Sequence, residues 1–252
     1  MNLRIRTAGF ALTALAPLAA CGGGHSDDES TLTVLAAASL TETFTALADE
    51  FESQHEGATV ELALDSSATL SQQAVDGAPG DVLATADEAT MQSAVDGGAV
   101  AEGPETFATN VAVLVTPPDN PAGIITVDDL DGDVTYVVCV DTAPCGKIAA
   151  TLLDQGGITA EPASLEVDVK AVLAKVTGDE ADAGIVYATD AVAAGDAVTV
   201  IDIEGADAER TVYPIATLEQ SEDEQLAGEF MDLVLSDEGQ QVLADAGFGG
   251  PA

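Results

Sequence analysis

The sequence predicts an α/β protein built on parallel sheets that helices cover on both faces. Short β-prone apolar runs alternate with segments in which apolar residues recur at helical spacing, and small or polar residues stand at the junctions. Strands that alternate with helices favour parallel pairing, because each helix returns the chain to the end of the sheet from which it started. The apolar fraction of 47% supplies ample material for a core in a chain of 252 residues.

Composition and charge exclude several classes of partner. The formal net charge of −39 would repel nucleic acid, and a chain without tryptophan has little with which to stack bases or sugars. We therefore expect no nucleic-acid partner. Such an excess of carboxylates predicts a strongly hydrated acidic surface suited to high salt, where screening weakens the repulsion between like charges.

Residues 1–20 have the pattern of an export signal, with two arginines ahead of an apolar stretch. The segment ends in Leu-Ala-Ala followed by Cys21, which resembles the bacterial lipobox and implies cleavage before this cysteine and lipidation of it. The glycine-rich and acidic residues 21–30 then predict a flexible tether. We expect a protein anchored by lipid to the extracytoplasmic side of the cell membrane.

The first predicted strand leads directly into a helix. Leu32–Leu35 is a β-prone apolar run, and from Thr41 apolar residues recur on one helical face. Ser39 lies at the junction, where with Glu42 it fits a capping box that satisfies free backbone N–H groups. The same turn would also offer N–H donors and the positive end of a helix dipole to an anion.

The same arrangement recurs along the chain. Further strands are predicted at 58–64, 81–85, 110–116, 134–140, 183–187, 198–203 and 212–218. Further helices are predicted at 69–75, 87–95, 144–155, 169–176 and in two parts of 226–244. Ser66 and Ser67 lie at the start of the second helix, as Ser39 does at the start of the first.

Two cysteines, Cys139 and Cys145, flank the turn between a predicted strand and the helix that begins at Pro144. Because Cys21 is assigned to the lipid, these two are the remaining cysteines of an exported chain, and a disulfide is the economical pairing. The loop between them is short, so we expect the bond to fix the turn more than to add stability.

Several segments, read together, resemble the molybdate-binding proteins of bacterial ABC importers. These are AAASL at 36–40, SSATL at 66–70, DGAPGDVLATAD at 76–87, GIVYATDA at 184–191 and the final AGFGG. The resemblance implies a two-lobed periplasmic-binding-protein fold of type II, in which each lobe is a mainly parallel sheet flanked by helices and the ligand lies in the interlobe cleft. We place residues 31–112 plus 217–252 in lobe 1 and residues 113–216 in lobe 2.

The family's ligand contacts, carried over motif by motif, fall on Ser39, Ser67, Cys145, Val169 and Tyr187. Hydroxyl and backbone N–H groups would donate hydrogen bonds to molybdate or tungstate, a fully deprotonated dianion, with no cofactor and no other metal. The sequence departs from the family pattern at Ala68, where relatives often have a third serine. It departs again at Cys145, which ties one contact to the expected disulfide.

The resemblance implies a monomeric substrate-binding protein, not an enzyme, that delivers its oxyanion to an ABC permease and ATPase. Lys147 and Lys170 lie within two residues of proposed contacts. Their position either corrects the electrostatic field around the cleft of an acidic protein or arises by chance on helix surfaces.

Other functions remain to be weighed against this one. A hydrolase would need a base beside Ser39 or Ser67, but the chain's two histidines lie in the tether and near the end of an early helix. Another tetrahedral oxyanion, sulfate or phosphate, is an alternative ligand, and the protonated forms of phosphate would favour an acceptor carboxylate such as Asp65 or Asp168. A lipid-anchored surface or sensory protein without a transport role is a further alternative.

Overall fold

The computed structural model describes residues 30–251. The predicted export signal, Cys21 and the tether as far as residue 29 lie outside the described residues, whereas Ser30, which we assigned to the tether, begins the first strand. No helix in this part of the chain is both long and apolar enough to cross a membrane.

Strands and helices alternate along most of the described chain, as the hydrophobic pattern predicts. The strands are β1 (Ser30–Ala37), β2 (Ala58–Asp65), β3 (Val82–Ala84), β4 (Glu105–Asn110), β5 (Ala112–Thr116), β6 (Tyr136–Cys139), β7 (Ser164–Glu166), β8 (Ala183–Tyr187), β9 (Thr199–Asp202) and β10 (Thr211–Thr217). The α-helices are α1 (Thr41–Gln54), α2 (Ser67–Val75), α3 (Glu88–Asp96), α4 (Pro144–Gln155), α5 (Val169–Thr177), α6 (Ala188–Ala194), α7 (Glu224–Leu235) and α8 (Asp237–Asp245).

Two sheets, each of five strands within the described residues, form the two lobes. Their strand orders are β2-β1-β3-β10-β4 and β7-β6-β8-β5-β9. In the first sheet β10 is antiparallel to both of its neighbours, and in the second β5 is. The other four strands of each sheet therefore run in one direction, which confirms the predicted fold class.

The chain crosses between the sheets at two places. The first crossing is at Val111, because β4 ends at Asn110 in one sheet and β5 begins at Ala112 in the other, although 110–116 was predicted as a single strand. The second precedes β10. Our expected boundary at residue 217 differs from this pairing, since β10 bonds to β3 and β4 of the first sheet. We propose 30–110 plus 211–251 as lobe 1.

Aromatic side chains fill the core of lobe 1 beside β1 and β10. Phe230 packs edge-on against Phe44 and Phe51, with ring centroids 5.9 and 5.4 Å apart. Phe107 packs in the same way against Tyr213, at 6.1 Å. These rings hold α1 and α7 against the sheet and so fix the strand ends from which the cleft is built.

Candidate functional site

A cavity lies in the cleft between the two lobes, where strands of both sheets end and helices begin. Lobe 1 and lobe 2 both line it, through Ala37, Ala38, Ser39, Asp65, Ser66, Ser67, Ala86, Pro144, Cys145, Asp168, Val169 and Tyr187. Its empty volume is about 220 Å³, including the mouth that opens to solvent, which suits a small ligand. All five residues predicted as ligand contacts are among these lining residues. Ligands of open α/β sheets bind at this edge, outside the carboxyl ends of the strands.

Helix starts supply the cavity with backbone N–H groups. The first N–H groups of a helix have no partner within it, and a capping side chain usually takes one of them. The turns before Ser39, Ser67 and Cys145 carry no such side-chain cap. At α5 the carboxylate of Asp168 accepts from Ala171, two residues beyond Val169. The positive ends of these helices thus face the cavity with donors still available.

A disulfide fixes the start of α4. Cys139 ends β6 and is bonded to Cys145 in the first turn of the helix, which confirms the predicted pairing. Gly146 follows, and a side chain there would place its Cβ 1.8 Å from the carbonyl oxygen of Val140, so glycine is needed for this close approach. The backbone around Cys145 is therefore held tightly against the end of β6.

Each of the two serine hydroxyls is hydrogen-bonded to another group of lobe 1. The backbone N–H of Ala86 donates to Ser67 Oγ at 2.9 Å. Ser39 Oγ lies 2.9 Å from the hydroxyl of Tyr213. The predicted capping box of Ser39 and Glu42 is wrong: α1 begins two residues after the serine with no side-chain cap, because a 3-10 turn intervenes and the hydroxyl is engaged by Tyr213.

Tyr187 ends β8 and places its hydroxyl against the cavity. The side chain is 2% exposed, and its hydroxyl has no hydrogen-bond partner among residues 30–251. Burial raises the pKa of Tyr187 well above its usual value of 10.0, so the hydroxyl keeps its proton. A buried donor without a partner is costly, which points to a ligand that accepts this hydrogen bond.

Two carboxylates border the cavity, Asp65 and Asp168. Each already accepts a backbone N–H through one oxygen, from Ser66 at 2.6 Å and from Ala171 at 2.8 Å. They serve the turns at the ends of β2 and β7, which is the role expected of an Asp at such a turn. No three His, Cys, Asp or Glu side chains in the described part of the chain are grouped to hold a metal ion.

The two lysines near the cavity join the lobes. Lys147 on α4 pairs with Asp87 of lobe 1 at 2.7 Å. Lys170 on α5 pairs with Glu42 on α1 at 2.7 Å and lies 3.0 Å from Asp190 in its own lobe. Neither lysine lines the cavity. Both lysines therefore form ion pairs across the cleft, and their electrostatic support of the ligand stays a prediction.

Asp190 is a buried carboxylate behind Lys170. Its side chain is 0% exposed, and it accepts the backbone N–H of Tyr187 at 3.2 Å. Burial raises the pKa of Asp190 to about 6, and the nearby Lys170 opposes this shift. This group lies next to the strand end that positions Tyr187.

The residues behind Ser39 were not predicted from the sequence. Tyr213 of β10 and Asn110 of β4 are both buried, and both belong to the hydrogen-bond chain that reaches the serine. Tyr213 is 174 residues from Ser39 in sequence, so no local motif joins them. Their contact depends on β10 returning to the first sheet.

Comparison with known proteins identifies relatives along nearly the whole described chain. The family model described as bacterial extracellular solute-binding protein matches residues 32–249. Molybdate-binding protein ModA of Mycobacterium tuberculosis is 35% identical over 246 residues, covering 94% of each chain. YvgL of Bacillus subtilis, described as an ABC transporter substrate-binding lipoprotein, is 29% identical over 248 residues, covering 94% of this chain and 95% of its own.

A solved structure shows the same fold. The periplasmic molybdate-binding protein of Azotobacter vinelandii superposes with a TM-score of 0.78 at 21% sequence identity. The match covers 88% of this chain and 100% of that one.

The raised pKa of Asp190 predicts a specific dependence of stability on pH. Between about pH 4 and pH 6 the folded protein holds this proton more tightly than the unfolded chain, so the free energy of unfolding falls as pH rises through that window. Asp190→Asn removes the contribution of this carboxyl to the pH dependence of the free energy of unfolding. The wild-type value minus the variant value should fall by roughly 2 kcal/mol from pH 4 to pH 7, because each pKa unit is worth about 1.4 kcal/mol and the unfolded carboxyl is already partly deprotonated at pH 4.

Urea unfolding of both proteins at each pH measures this difference. The exposed substitution Asp96→Asn controls for the change in net charge. Parallel pH profiles for wild type and Asp190→Asn would contradict a raised pKa for the buried carboxylate.

Proposed function

The chain belongs to the bacterial extracellular solute-binding proteins, and we propose that it captures molybdate in the cleft between its lobes and delivers it to an ABC importer. It is a binding protein and not an enzyme, as its relatives are. Support for molybdate comes from the 35% identity to ModA of Mycobacterium tuberculosis over 94% of each chain.

One observation carries the proposal most directly: the hydroxyl of Tyr187. It is buried at the cavity, protonated, and without a partner among the described residues. Water or a ligand must complete it, and a ligand with several acceptor oxygens also meets the free N–H groups at the nearby helix starts. Molybdate has four oxygens, no proton at neutral pH, and no donor of its own.

The donors suffice in number and kind to hold a dianion without a positive side chain. A hydrogen bond to a charged group contributes roughly 1.5–3 kcal/mol net, so a set of them can offset the cost of removing the anion from water. The helix dipoles add favourable potential at the same point. The Lys147 and Lys170 side chains are engaged with carboxylates outside the cavity and are not needed as direct contacts.

Closure of the lobes follows from the origin of the donors. Ser39 and Ser67 lie in lobe 1, and Cys145, Val169 and Tyr187 lie in lobe 2, so one anion touching both sets stabilises the closed arrangement. The ion pairs Lys147–Asp87 and Lys170–Glu42 form in the same arrangement. We propose that this closed form is the one that docks on the permease.

Finer features of the proposal rest on the sequence. We propose that tungstate also binds, that the protein acts as a monomer, and that lipid on Cys21 anchors it outside the membrane. The lipoprotein description of YvgL, which is 29% identical, supports the anchor.

A second ligand class is favoured by one feature of the cavity. Asp65 and Asp168 border it, and a free carboxylate oxygen would accept the proton of hydrogen phosphate. Each already accepts a backbone N–H, so their capping role accounts for them without a ligand.

Calorimetric titration with molybdate, tungstate, sulfate and phosphate tests the ligand. We expect molybdate and tungstate to bind most tightly and phosphate to bind least, because the hydroxyl and free backbone N–H groups at the cavity donate hydrogen bonds, whereas Asp65 and Asp168 serve their own turns. Tight binding of phosphate without binding of molybdate would overturn the proposal. Purified protein is first unfolded and refolded to remove any oxyanion that was carried through purification.

Tyr187→Phe tests the orphan hydroxyl. The variant loses one charge-assisted hydrogen bond, so molybdate affinity should fall roughly 10- to 100-fold, the equivalent of about 1.5–3 kcal/mol. The free energy of unfolding of the ligand-free protein should stay the same or rise, since an unpartnered buried hydroxyl is removed.

Tyr136→Phe is the matched control. The Tyr136 hydroxyl donates to the carbonyl of Ala160 within lobe 2, away from the cavity. This variant should lose stability and keep its molybdate affinity. If Tyr187→Phe behaved in the same way, its hydroxyl would be structural.

A further inference from the structure

A buried chain of hydrogen bonds stands behind Ser39. Its members are Asn110 at the end of β4, Tyr213 on β10 and Thr189 on α6, and all are less than 5% exposed. Asn110 Nδ2 lies 2.8 Å from Thr189 Oγ1 and 3.4 Å from the Tyr213 hydroxyl. The Tyr213 hydroxyl in turn lies 2.9 Å from Ser39 Oγ.

The orientation of the Asn110 amide is fixed by the backbone. The N–H of Val111 donates to Asn110 Oδ1 at 2.9 Å, and a donor cannot bond to the NH₂ side of an amide. The NH₂ group therefore faces Thr189 and Tyr213, and both of its contacts are donations. The weaker of the two, at 3.4 Å, occupies a lone pair of the tyrosine oxygen.

The position of the Tyr213 proton follows. Burial raises the pKa of Tyr213, so the hydroxyl is neutral and carries one proton. Its two oxygen or nitrogen partners among residues 30–251 are Asn110, which donates, and Ser39. An unpaired buried O–H would be costly, so this proton lies on the line to Ser39 Oγ.

We propose that Tyr213 and Asn110 are positioning residues that turn the Ser39 hydroxyl proton toward the cavity, so that Ser39 meets the bound anion as a donor. This inference rests on the proposed function and assigns selectivity to residues that do not touch the ligand. Ser39 lines the cavity, and its Oγ accepts from Tyr213, which leaves one proton and one lone pair. Tyr213 is its one hydrogen-bond partner among residues 30–251, so accepting from a ligand as well would leave the Ser39 proton unpaired at a buried site.

The Ser67 hydroxyl is also oriented as a donor, but by a backbone group instead of a side chain. The backbone N–H of Ala86 donates to Ser67 Oγ, which leaves the serine proton for the cavity. A backbone donor cannot reverse, whereas the chain through Tyr213 could, if Asn110 were replaced by an acceptor. Ser39 is therefore the contact at which donor direction can be changed by mutation.

The consequence is selectivity against protonated oxyanions. Molybdate and sulfate accept at every oxygen. Phosphate near neutral pH carries at least one P–OH, and a hydrogen bond from that group to Ser39 would leave the serine proton without an acceptor, unless the P–OH faces elsewhere. A Ser39 hydroxyl free to rotate would accept from such a group and so weaken the discrimination.

A double-mutant cycle of Tyr213→Phe and Ser39→Ala tests the proposal by calorimetry with molybdate, sulfate and phosphate. Tyr213→Phe alone should lower the affinity for molybdate and for sulfate roughly two- to tenfold, the range expected for a neutral hydrogen bond. It should lower the affinity for phosphate less. In the Ser39→Ala background the same substitution should leave the affinity for each anion, and the ratio of sulfate to phosphate affinity, unchanged, because the hydroxyl through which Tyr213 acts is absent.

Asn110→Asp is the second variant, and it reverses the chain. A carboxylate at this position accepts the Tyr213 proton, so Ser39 donates to Tyr213 and turns a lone pair to the cavity. The ratio of sulfate to phosphate affinity should fall further than in Tyr213→Phe. The titrations are made well above the second pKa of phosphate, where phosphate, like sulfate, is a dianion but keeps one P–OH, so the added negative charge repels both anions alike.

The outcomes separate this inference from the proposed function. Wild-type binding is measured first, and the cycle is run with whichever fully deprotonated oxyanion binds most tightly. If molybdate did not bind, the proposed function would fail, but the double-mutant cycle could still be measured with sulfate. Equal losses from Tyr213→Phe in both backgrounds, or unchanged sulfate-to-phosphate ratios in both variants, would overturn the positioning role.

Discussion

An anion buried in a protein of net charge −39 can be held when the groups that face it donate, and this constraint explains how the cleft is built. Bulk electrostatics oppose the ligand, so affinity must come from short-range donors and aligned helix dipoles. The fold brings helix starts from both sheets to one point, and three of the four turns discussed above lack side-chain caps. Capping side chains there would compete with the ligand for the same N–H groups.

The positive side chains near the cleft have a different role. Lys147 and Lys170 each bridge to a carboxylate of lobe 1 beside the cavity. Exposed ion pairs contribute little alone, and salt screens them. Lys170 is the better placed of the two, since it is partly buried and Asp190 and Glu42 raise its pKa against the effect of burial. In the proposed function, the anion and these pairs stabilise the same closed arrangement from different positions.

Much of the candidate site could be predicted from the sequence because its parts are local. Four of the residues lie in the first turn of a helix and one at the end of a strand, where a short motif marks both the turn and the donor; in that order they are Ser39, Ser67, Cys145, Val169 and Tyr187. Cys139 and Cys145 are six residues apart, so their pairing was also a local inference.

What sequence reasoning missed depends on contacts between distant parts of the chain. The predicted Ser39 capping box was wrong because the hydroxyl of Tyr213, on β10, is hydrogen-bonded to the Ser39 hydroxyl. The strand at 110–116 is divided because Asn110 and Ala112 pair in different sheets, and neither local hydrophobicity nor a turn signal marks that change. Pro214 lies within β10, and proline usually favours an edge strand, but β10 is an inner strand of its sheet. A shift in pairing register between Tyr213 and Pro214 accommodates the proline.

A crystal structure of the molybdate complex, with the metal located by its anomalous scattering, tests the central claim most directly. We expect one molybdenum peak in the cavity, with oxygens at hydrogen-bond distance from Ser39 and Ser67 of lobe 1 and from Cys145, Val169 and Tyr187 of lobe 2. Each of these contacts should be a donation from a hydroxyl or a backbone N–H. A peak elsewhere, or an anion held by a lysine or approached by the Asp65 or Asp168 carboxylate, would contradict it.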